Sequence, residues 1–360
     1  MTTQTLPPGA VTPSAERDNE VVLEVRNLTK HFPVGSPFRP RHVHALNDAS
    51  FTIARRQVVA LVGESGSGKS TTARLIARLM PPTRGQILLH GQDVLKTEPR
   101  RGSQAYRKAV QMIFQDPFGS LNPLKTIRHA IERPIIRHHA QSGASNRVYE
   151  LLETVGLTPP HDIANRFPYQ LSGGQRQRVA IARALAVEPE IILADEPISM
   201  LDVSIRMGVL NLMQRLKEER GIGFLYITHD LASARYIADR TIVMYAGHMV
   251  EGADSTELMD QPAHPYTKLL ISAVPDPQSA LSTTEDEVRG EIPSLIDPPP
   301  GCPFVTRCPY AMDVCRTVMP GREYVSPDHW VRCHLYGPGE GQDGPKTPAT
   351  APNPTPAGSA

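Results

Sequence analysis

Val58-Val59-Ala60-Leu61-Val62-Gly63-Glu64-Ser65-Gly66-Ser67-Gly68-Lys69-Ser70-Thr71-Thr72-Ala73-Arg74-Leu75-Ile76-Ala77-Arg78-Leu79 is the stretch that decides the fold. Its first five residues are continuously apolar, as a strand buried on both faces should be. The next eight match the G-x-x-x-x-G-K-[ST] pattern of a phosphate-binding P-loop. Ser70 to Leu79 then carries a helix pattern. Glycines at 63, 66 and 68 let the backbone turn tightly and aim amides at phosphate oxygens, and the helix offers its positive N-terminus to the same anion. Lys69 is expected to reach the β- and γ-phosphates, and the Ser70 hydroxyl to sit on Mg²⁺. A glycine-rich turn with no ligand is the bland alternative, and the full pattern between strand and helix argues against it.

Working outward, further buried strands are expected at 191–194, 224–228 and 242–245, and Val21-Val22-Leu23-Glu24-Val25 opens the folded part. The run Ile191-Ile192-Leu193-Ala194 leads straight into Asp195-Glu196. Acids at the carboxyl end of a buried strand point toward the crevice where α/β sheets bind ligands, so Asp195 is expected to hold Mg²⁺ directly or through water. His229 follows the strand at 224–228. From about 117 to 183 the pattern is mostly helical and interrupts the strands, which reads as an inserted helical subdomain.

Leu171-Ser172-Gly173-Gly174-Gln175 lies inside that insertion, just before a helix running through Arg183. Its hydroxyl and amides could simply cap the helix, or form a second anion site. One chain already holds a complete P-loop, so a second phosphate-binding turn points to a second chain.

Bulk properties bound the rest. The 360 residues can hold one such domain and an appendage. Lys+Arg 38 against Asp+Glu 37 leaves a net charge of +1, which gives no footprint for non-specific nucleic-acid binding. No apolar run approaches the roughly 18 residues of a membrane span. Residues 1–20 lack the apolar core of a signal peptide and read as a disordered leader, and 337–360 as a disordered tail. A cytoplasmic chain doing any membrane work through a partner is the expectation.

All four cysteines, Cys302, Cys308, Cys315 and Cys333, fall late in the chain, separated by five, six and seventeen residues. Persistent disulfides disagree with a reducing cytoplasm, and none of the intervals has the short spacing of zinc knuckles. Spacing leaves zinc and iron–sulfur open.

The P-loop, the Leu-Ser-Gly-Gly-Gln pentapeptide and the Asp-Glu pair, in this order, resemble the ATP-binding-cassette (ABC) family. Gln115-Asp116-Pro117-Phe118-Gly119-Ser120-Leu121-Asn122-Pro123, His264-Pro265-Tyr266-Thr267 and the cysteine segment extend the resemblance to ATPase subunits of oligopeptide/dipeptide/nickel ABC importers. It covers about 21 to 336. It implies an α/β cassette core over 21–275 with a β subdomain and the inserted helical subdomain, and a small Cys-rich extension over 276–336.

The resemblance also implies roles. Glu196 would polarise the attacking water, and His229 would be the switch histidine on the γ-phosphate. Gln115, where core meets insertion, would sense Mg²⁺ and water. The nucleotide-binding set would be Gly63, Ser65, Gly66, Gly68, Lys69, Ser70, Thr71 and Asp195. Ser172, Gly173, Gly174 and Gln175 would close over the ATP of a second subunit, with Asp202 at that interface. Met200 departs from the small residue usual there. Phe32 would stack on adenine.

The resemblance implies a four-iron cluster on the four cysteines, with zinc as the alternative. The implied partners are a second ATPase subunit (paralogue or self), two membrane permeases and, through them, a solute-binding protein, at the cytoplasmic face of the membrane. Soluble cassette ATPases acting on ribosomes or DNA are the competing class, but they usually carry two cassettes or long coiled coils, and this chain shows neither.

Overall fold

The computed structural model describes residues 20–36, 41–98, 102–138, 144–273 and 293–337. Nearly all of the expected leader and tail, and the expected start of the extension at 276, lie outside the described residues.

The apolar run at 58–62 forms β3 (Val58–Val62), buried at every position. It pairs in parallel with β8 (Gly223–Thr228) and β9 (Arg240–Tyr245). Beyond β8 lie β7 (Ile191–Asp195) and β6 (Val110–Ile113), also parallel. β7 and β8 are likewise buried throughout. This is the burial on both faces that continuous Val/Ile/Leu runs signal.

An antiparallel layer is built from β1 (Val21–Val34), β2 (Arg41–Ala54), β4 (Arg84–Leu89) and β5 (Gln92–Asp93). It joins the parallel array through β10 (His248–Asp254), which pairs antiparallel with β9 and meets β2 at His248 opposite Asn47. The result is the mixed α/β sheet expected, with a β layer beside the parallel core.

Between β6 and β7 the described chain is helical: Pro117–Ser120, Ile127–His138, Ala144–Thr154, Pro160–Asn165 and Gly173–Leu185. Ile127, Ile131 and Ile135 recur every four residues and are all buried, facing Val148, Leu151 and Leu152 in one apolar cluster. Each such side chain contributes roughly 1.5–3 kcal/mol of burial.

The C-terminal region adds itself to the core sheet. β12 (His329–Val331) pairs antiparallel with β10 and with β11 (Glu323–Ser326). Trp330 lies flat on Gly252, where a Cβ would come within 2.7 Å of the indole, and the Arg322 guanidinium covers the ring at 4.1 Å. His329 is buried between two acids, Nε2 at 2.7 Å from Glu251 and Nδ1 at 3.3 Å from Glu257. Glu251 also accepts the backbone N–H groups of Ala263 and His264, so its buried carboxylate is partnered as burial requires. The extension is thus continuous with the core rather than a detached unit.

Candidate nucleotide site

The loop leaving β3 is shaped by what presses on it. Gly63 sits at φ 148° and Gly68 at φ 104°. A Cβ would stand 2.1 Å from the Met244 carbonyl at the first and 2.6 Å from the Ala45 carbonyl at the second. Only glycine fits either place. Ser67 is tied in through its carbonyl, which accepts from Gly247 N–H at 3.0 Å.

Lys69 curls into the loop, donating to the carbonyls of Gly63 (2.7 Å) and Glu64 (2.8 Å). Burial pulls its pKa down, against the raising pull of Glu196, Asp195 and Glu64. Gly66 and Ser65 are exposed at the loop's tip, and Thr71 is half-buried on the first helical turn.

The helix Lys69–Ile76 is shorter than the sequence pattern suggests. Arg78 turns left-handed at φ 55°. Arg78 N–H then bonds the Leu75 carbonyl and Leu79 N–H the Arg74 carbonyl, both at 3.0 Å. That is a Schellman stop, which satisfies the last carbonyls and leaves Leu79 outside the helix.

Two strand ends complete the site. Ser70 Oγ donates to Asp195 Oδ1 at 2.8 Å, joining the loop's helix to the end of β7. Burial pushes the Asp195 carboxyl up, partly offset by the Ser70 hydrogen bond and Arg74. Glu196 follows at φ 46°, a left-handed conformation that costs a non-glycine residue about 1–3 kcal/mol. This turn brings its carboxylate between Gln115 Nε2, which donates at 2.8 Å, and His229 Nδ1 at 3.3 Å. Residues far apart in sequence therefore meet at one carboxylate. Ser70 and Asp195 pair at the end of β7, and Gln115 meets Glu196 one residue on, so these polar groups gather at the strands' carboxyl ends.

The pentapeptide is a helix start. Ser172 Oγ accepts from Gln175 N–H at 3.3 Å, and Gln175 Oε1 accepts from Ser172 N–H at 3.0 Å, a reciprocal capping box. Gly174 lets the helix approach Ile205, whose Cγ2 would lie 2.6 Å from a Cβ there. Gly173 is half-buried and Ser172 exposed. Among the described residues no hydrogen bond joins this turn to the P-loop. Asp202 caps the helix Val203–Arg220 by position only, without a side-chain bond. Beside it Met200 and Val203 are exposed.

Phe32, on β1, is half-buried with the Lys30 ammonium 4.9 Å from its ring centroid. Its neighbours His31 and His44 stack at 3.8 Å. No ring contact or hydrogen bond links Phe32 to the P-loop among the described residues.

Known proteins resemble this chain. The ABC transporter family pattern matches residues 46–199, and that of the oligopeptide/dipeptide transporter C-terminal region matches 250–315. The oligopeptide transport ATP-binding protein AppF of Bacillus subtilis is 45% identical over 326 residues, 89% of this chain and 98% of that protein. A putative peptide import ATP-binding protein of Brucella ovis is 46% identical over 314 residues, 87% of this chain and 97% of that protein.

The chain belongs to the oligopeptide-transport branch of the ABC ATPases.

Among solved structures, the dimeric bacterial ABC cassette MJ0796 is 33% identical with a TM-score of 0.58, covering 65% of this chain and 98% of that one. The same cassette is known as a dimer bound to ADP and phosphate.

In this ABC ATPase the four cysteines are free and face one small, largely apolar pocket, shared with His264, Phe304 and Met312. Burial pushes the Cys302 thiol up to about 11 and Cys333 up to about 12, with the neighbouring cysteines adding to both. Cys308 is raised for the same first reason. Among the described residues, however, no three His, Cys, Asp or Glu side chains are grouped as ligands for a metal ion. The donor set of a four-thiolate centre is gathered in one place, but it is not in a ligating arrangement.

The ABC motifs gave no hint of one feature of the loop. Arg307, from the cysteine segment, reaches Glu64 with distances of 3.1–3.2 Å, and Tyr266 Oη accepts from Glu64 N–H at 3.0 Å. The partners lie 243 and 202 residues apart, beyond the reach of any local pattern.

Proposed function

We propose that this subunit binds MgATP through Gly63, Ser65, Gly66, Gly68, Lys69, Ser70 and Thr71, and hydrolyses it to drive a membrane importer of oligopeptides, dipeptides or related solutes. The observation that carries the chemistry is the convergence of Gln115 and His229 on Glu196 beside the Ser70–Asp195 pair. Glu196 takes the proton of the attacking water as general base. His229 holds the γ-phosphate, and Gln115 aligns the water while reporting nucleotide state to the helical subdomain. Ser70, Asp195 and Gln115 would hold Mg²⁺, which would neutralise charge developing on the phosphates. Phe32 is the aromatic offered to adenine.

Ser172, Gly173, Gly174 and Gln175 act on the ATP of a second ATPase subunit, a paralogue or a second copy. Support comes from the exposed Ser172 and the adjoining exposed Met200 and Val203, 58% and 75% accessible, which leave this rim suited to a two-fold contact.

No described helix is long and apolar enough to cross a membrane, and the subunit works at the cytoplasmic face on two permease subunits fed by a solute-binding protein. A groove between the core and the helical subdomain is lined by Arg107, Lys125, Arg133, Arg137 and Arg183 and, among the described residues, by no acid. It suits an acidic segment of the permease. The cysteines would supply the thiolates of a metal centre, four iron atoms with sulfide in preference to zinc, by rearranging from the non-ligating positions they hold here, and that centre would stabilise the extension. That reading is supported by the four thiols sharing one pocket.

Affinity purification from membranes tests the central reading. Recovery of two permeases, with peptide-stimulated ATPase activity after reconstitution with the binding protein, is expected. Recovery of ribosomes or DNA instead would overturn it.

A further inference from the structure

Residue 64 is the second residue of the phosphate loop, and it is held from three directions. Its N–H donates to Tyr266 Oη at 3.0 Å, and its carbonyl accepts from Lys69 Nζ at 2.8 Å. Its carboxylate meets the forked guanidinium of Arg307. The Arg307 side chain is only 6% exposed and that of Glu64 27%, so solvent screens this pair little. Tyr245 Oη accepts a further bond from Arg307 at 3.3 Å.

The arginine is itself anchored. It sits in a turn closed by Val305 N–H to the Cys302 carbonyl and Arg307 N–H to the Phe304 carbonyl, and Cys302 N–H bonds the Cys315 carbonyl at 2.7 Å. Phe304 packs edge-on against Tyr245 and tilted against Tyr266. The cysteine segment thus presents a rigidly held cation to the nucleotide loop.

An acid at this position is costly for the activity of the loop. A free carboxylate beside bound polyphosphate repels it and competes for Lys69, whose charge already answers to Glu196, Asp195 and then Glu64. We infer that Arg307 is a positioning residue for ATP binding: by neutralising Glu64 and fixing its side chain, the C-terminal extension sets the affinity of the loop for the triphosphate. This rests on the reading that the loop binds ATP. It makes the extension part of the nucleotide site's machinery rather than an appendage to it. Breaking a partly buried, bidentate pair leaves its partner uncompensated, and here the uncompensated group is the harmful one.

Titration of the full-length chain with a fluorescent trinitrophenyl-ATP and Mg²⁺ tests this. Arg307→Met should weaken binding about 10-fold, equivalent to about 1.4 kcal/mol. Glu64→Gln alone should stay within about 2-fold of wild type, and adding it to Arg307→Met should restore affinity to about the same range, a strong non-additivity. In the reconstituted transporter Arg307→Met should raise KM for ATP while leaving kcat at saturation within about 2-fold. Unchanged affinity in Arg307→Met, or a double variant as weak as the single one, overturns the proposal. Should Arg307→Met fail to fold, Arg307→Lys keeps the charge without the fork. It should lose about 3-fold in affinity, relieved by Glu64→Gln, and no relief overturns the proposal equally. Lys69→Ala separates the two failures: if it keeps ATP affinity, the nucleotide-loop reading falls and not merely the role of Arg307.

Discussion

Glu196 and His229 meet at 3.3 Å across the ends of β7 and β8, with Glu196 in a left-handed backbone turn. The strained turn has a local consequence. It swings the carboxylate off the strand axis toward Gln115 and His229, while its N–H remains bonded to the Ile227 carbonyl at 2.9 Å. Asp195, one residue earlier, stays buried on Ser70. Adjacent acids are thereby turned apart: Asp195 faces the loop helix, and Glu196 faces Gln115 and His229.

Glu196→Gln should leave MgATP binding intact, because Lys69, Ser70 and Asp195 make their hydrogen bonds to other groups. Hydrolysis should fall by about 10²–10⁴, the usual worth of a general base, and the ATP-bound dimer should accumulate. Steady-state turnover of the reconstituted transporter and size-exclusion chromatography with ATP are the measurements. Near-wild-type turnover would remove Glu196 from the base role.

Ser172 carries two separable burdens. Ser172→Ala removes the cap and should cost about 1 kcal/mol of stability, read as a lowered Tm. Ser172→Arg also places a bulky cation on the exposed face of the turn and should abolish hydrolysis, with nucleotide affinity of the isolated subunit unchanged. Equal loss of binding and hydrolysis in the monomer would show the turn acting on its own chain's ATP.

His329 should make the docking of the extension pH-dependent. Burial alone lowers its pKa, but the hydrogen bond and charge of Glu251, with Glu257, more than reverse this, and the folded value is raised. A raised folded pKa means the stabilisation is fully present below the unfolded value of about 6.5 and is lost as pH rises through the folded pKa. Thermal stability should therefore fall as pH rises above about 6.5, by a few °C, and His329→Gln should flatten that slope. A wild-type slope of opposite sign in this window would refute the assignment.

How much of this was legible in the sequence depended on locality. Val58–Val62 and Ile191–Ala194 announced themselves because a strand covered on both faces needs no polar position. The helical insertion showed through its mostly helical pattern from about 117 to 183, within which Ile127, Ile131 and Ile135 fall on one buried face. β2 did not, since its His, Asn and Asp positions belong to a strand with half-buried faces, which resembles a loop in composition. Glu64 and Arg307 were each visible as residues, but their pairing is set by the folding back of the extension. The small Cys-rich extension implied by the resemblance is bonded into the core through β12 and Arg307, contacts that no local pattern announces.

That attachment changes what removing a cysteine should do. If the four thiols carry an iron–sulfur centre, anaerobically purified protein should be brown and contain about four irons per chain. Cys308→Ser or Cys315→Ser should lose the iron and loosen the turn that carries Arg307, which follows Phe304 and adjoins Cys308. Were the extension detached, ATP affinity would be untouched. Because Arg307 grips Glu64, affinity should instead fall in step with iron loss, and Glu64→Gln should blunt the fall. Colourless protein with stoichiometric zinc would replace the cluster while keeping the metal-held turn. Metal-free protein with four reactive thiols would remove both, and the turn would then owe its rigidity to its own backbone hydrogen bonds and to Phe304 packed on Tyr245 and Tyr266.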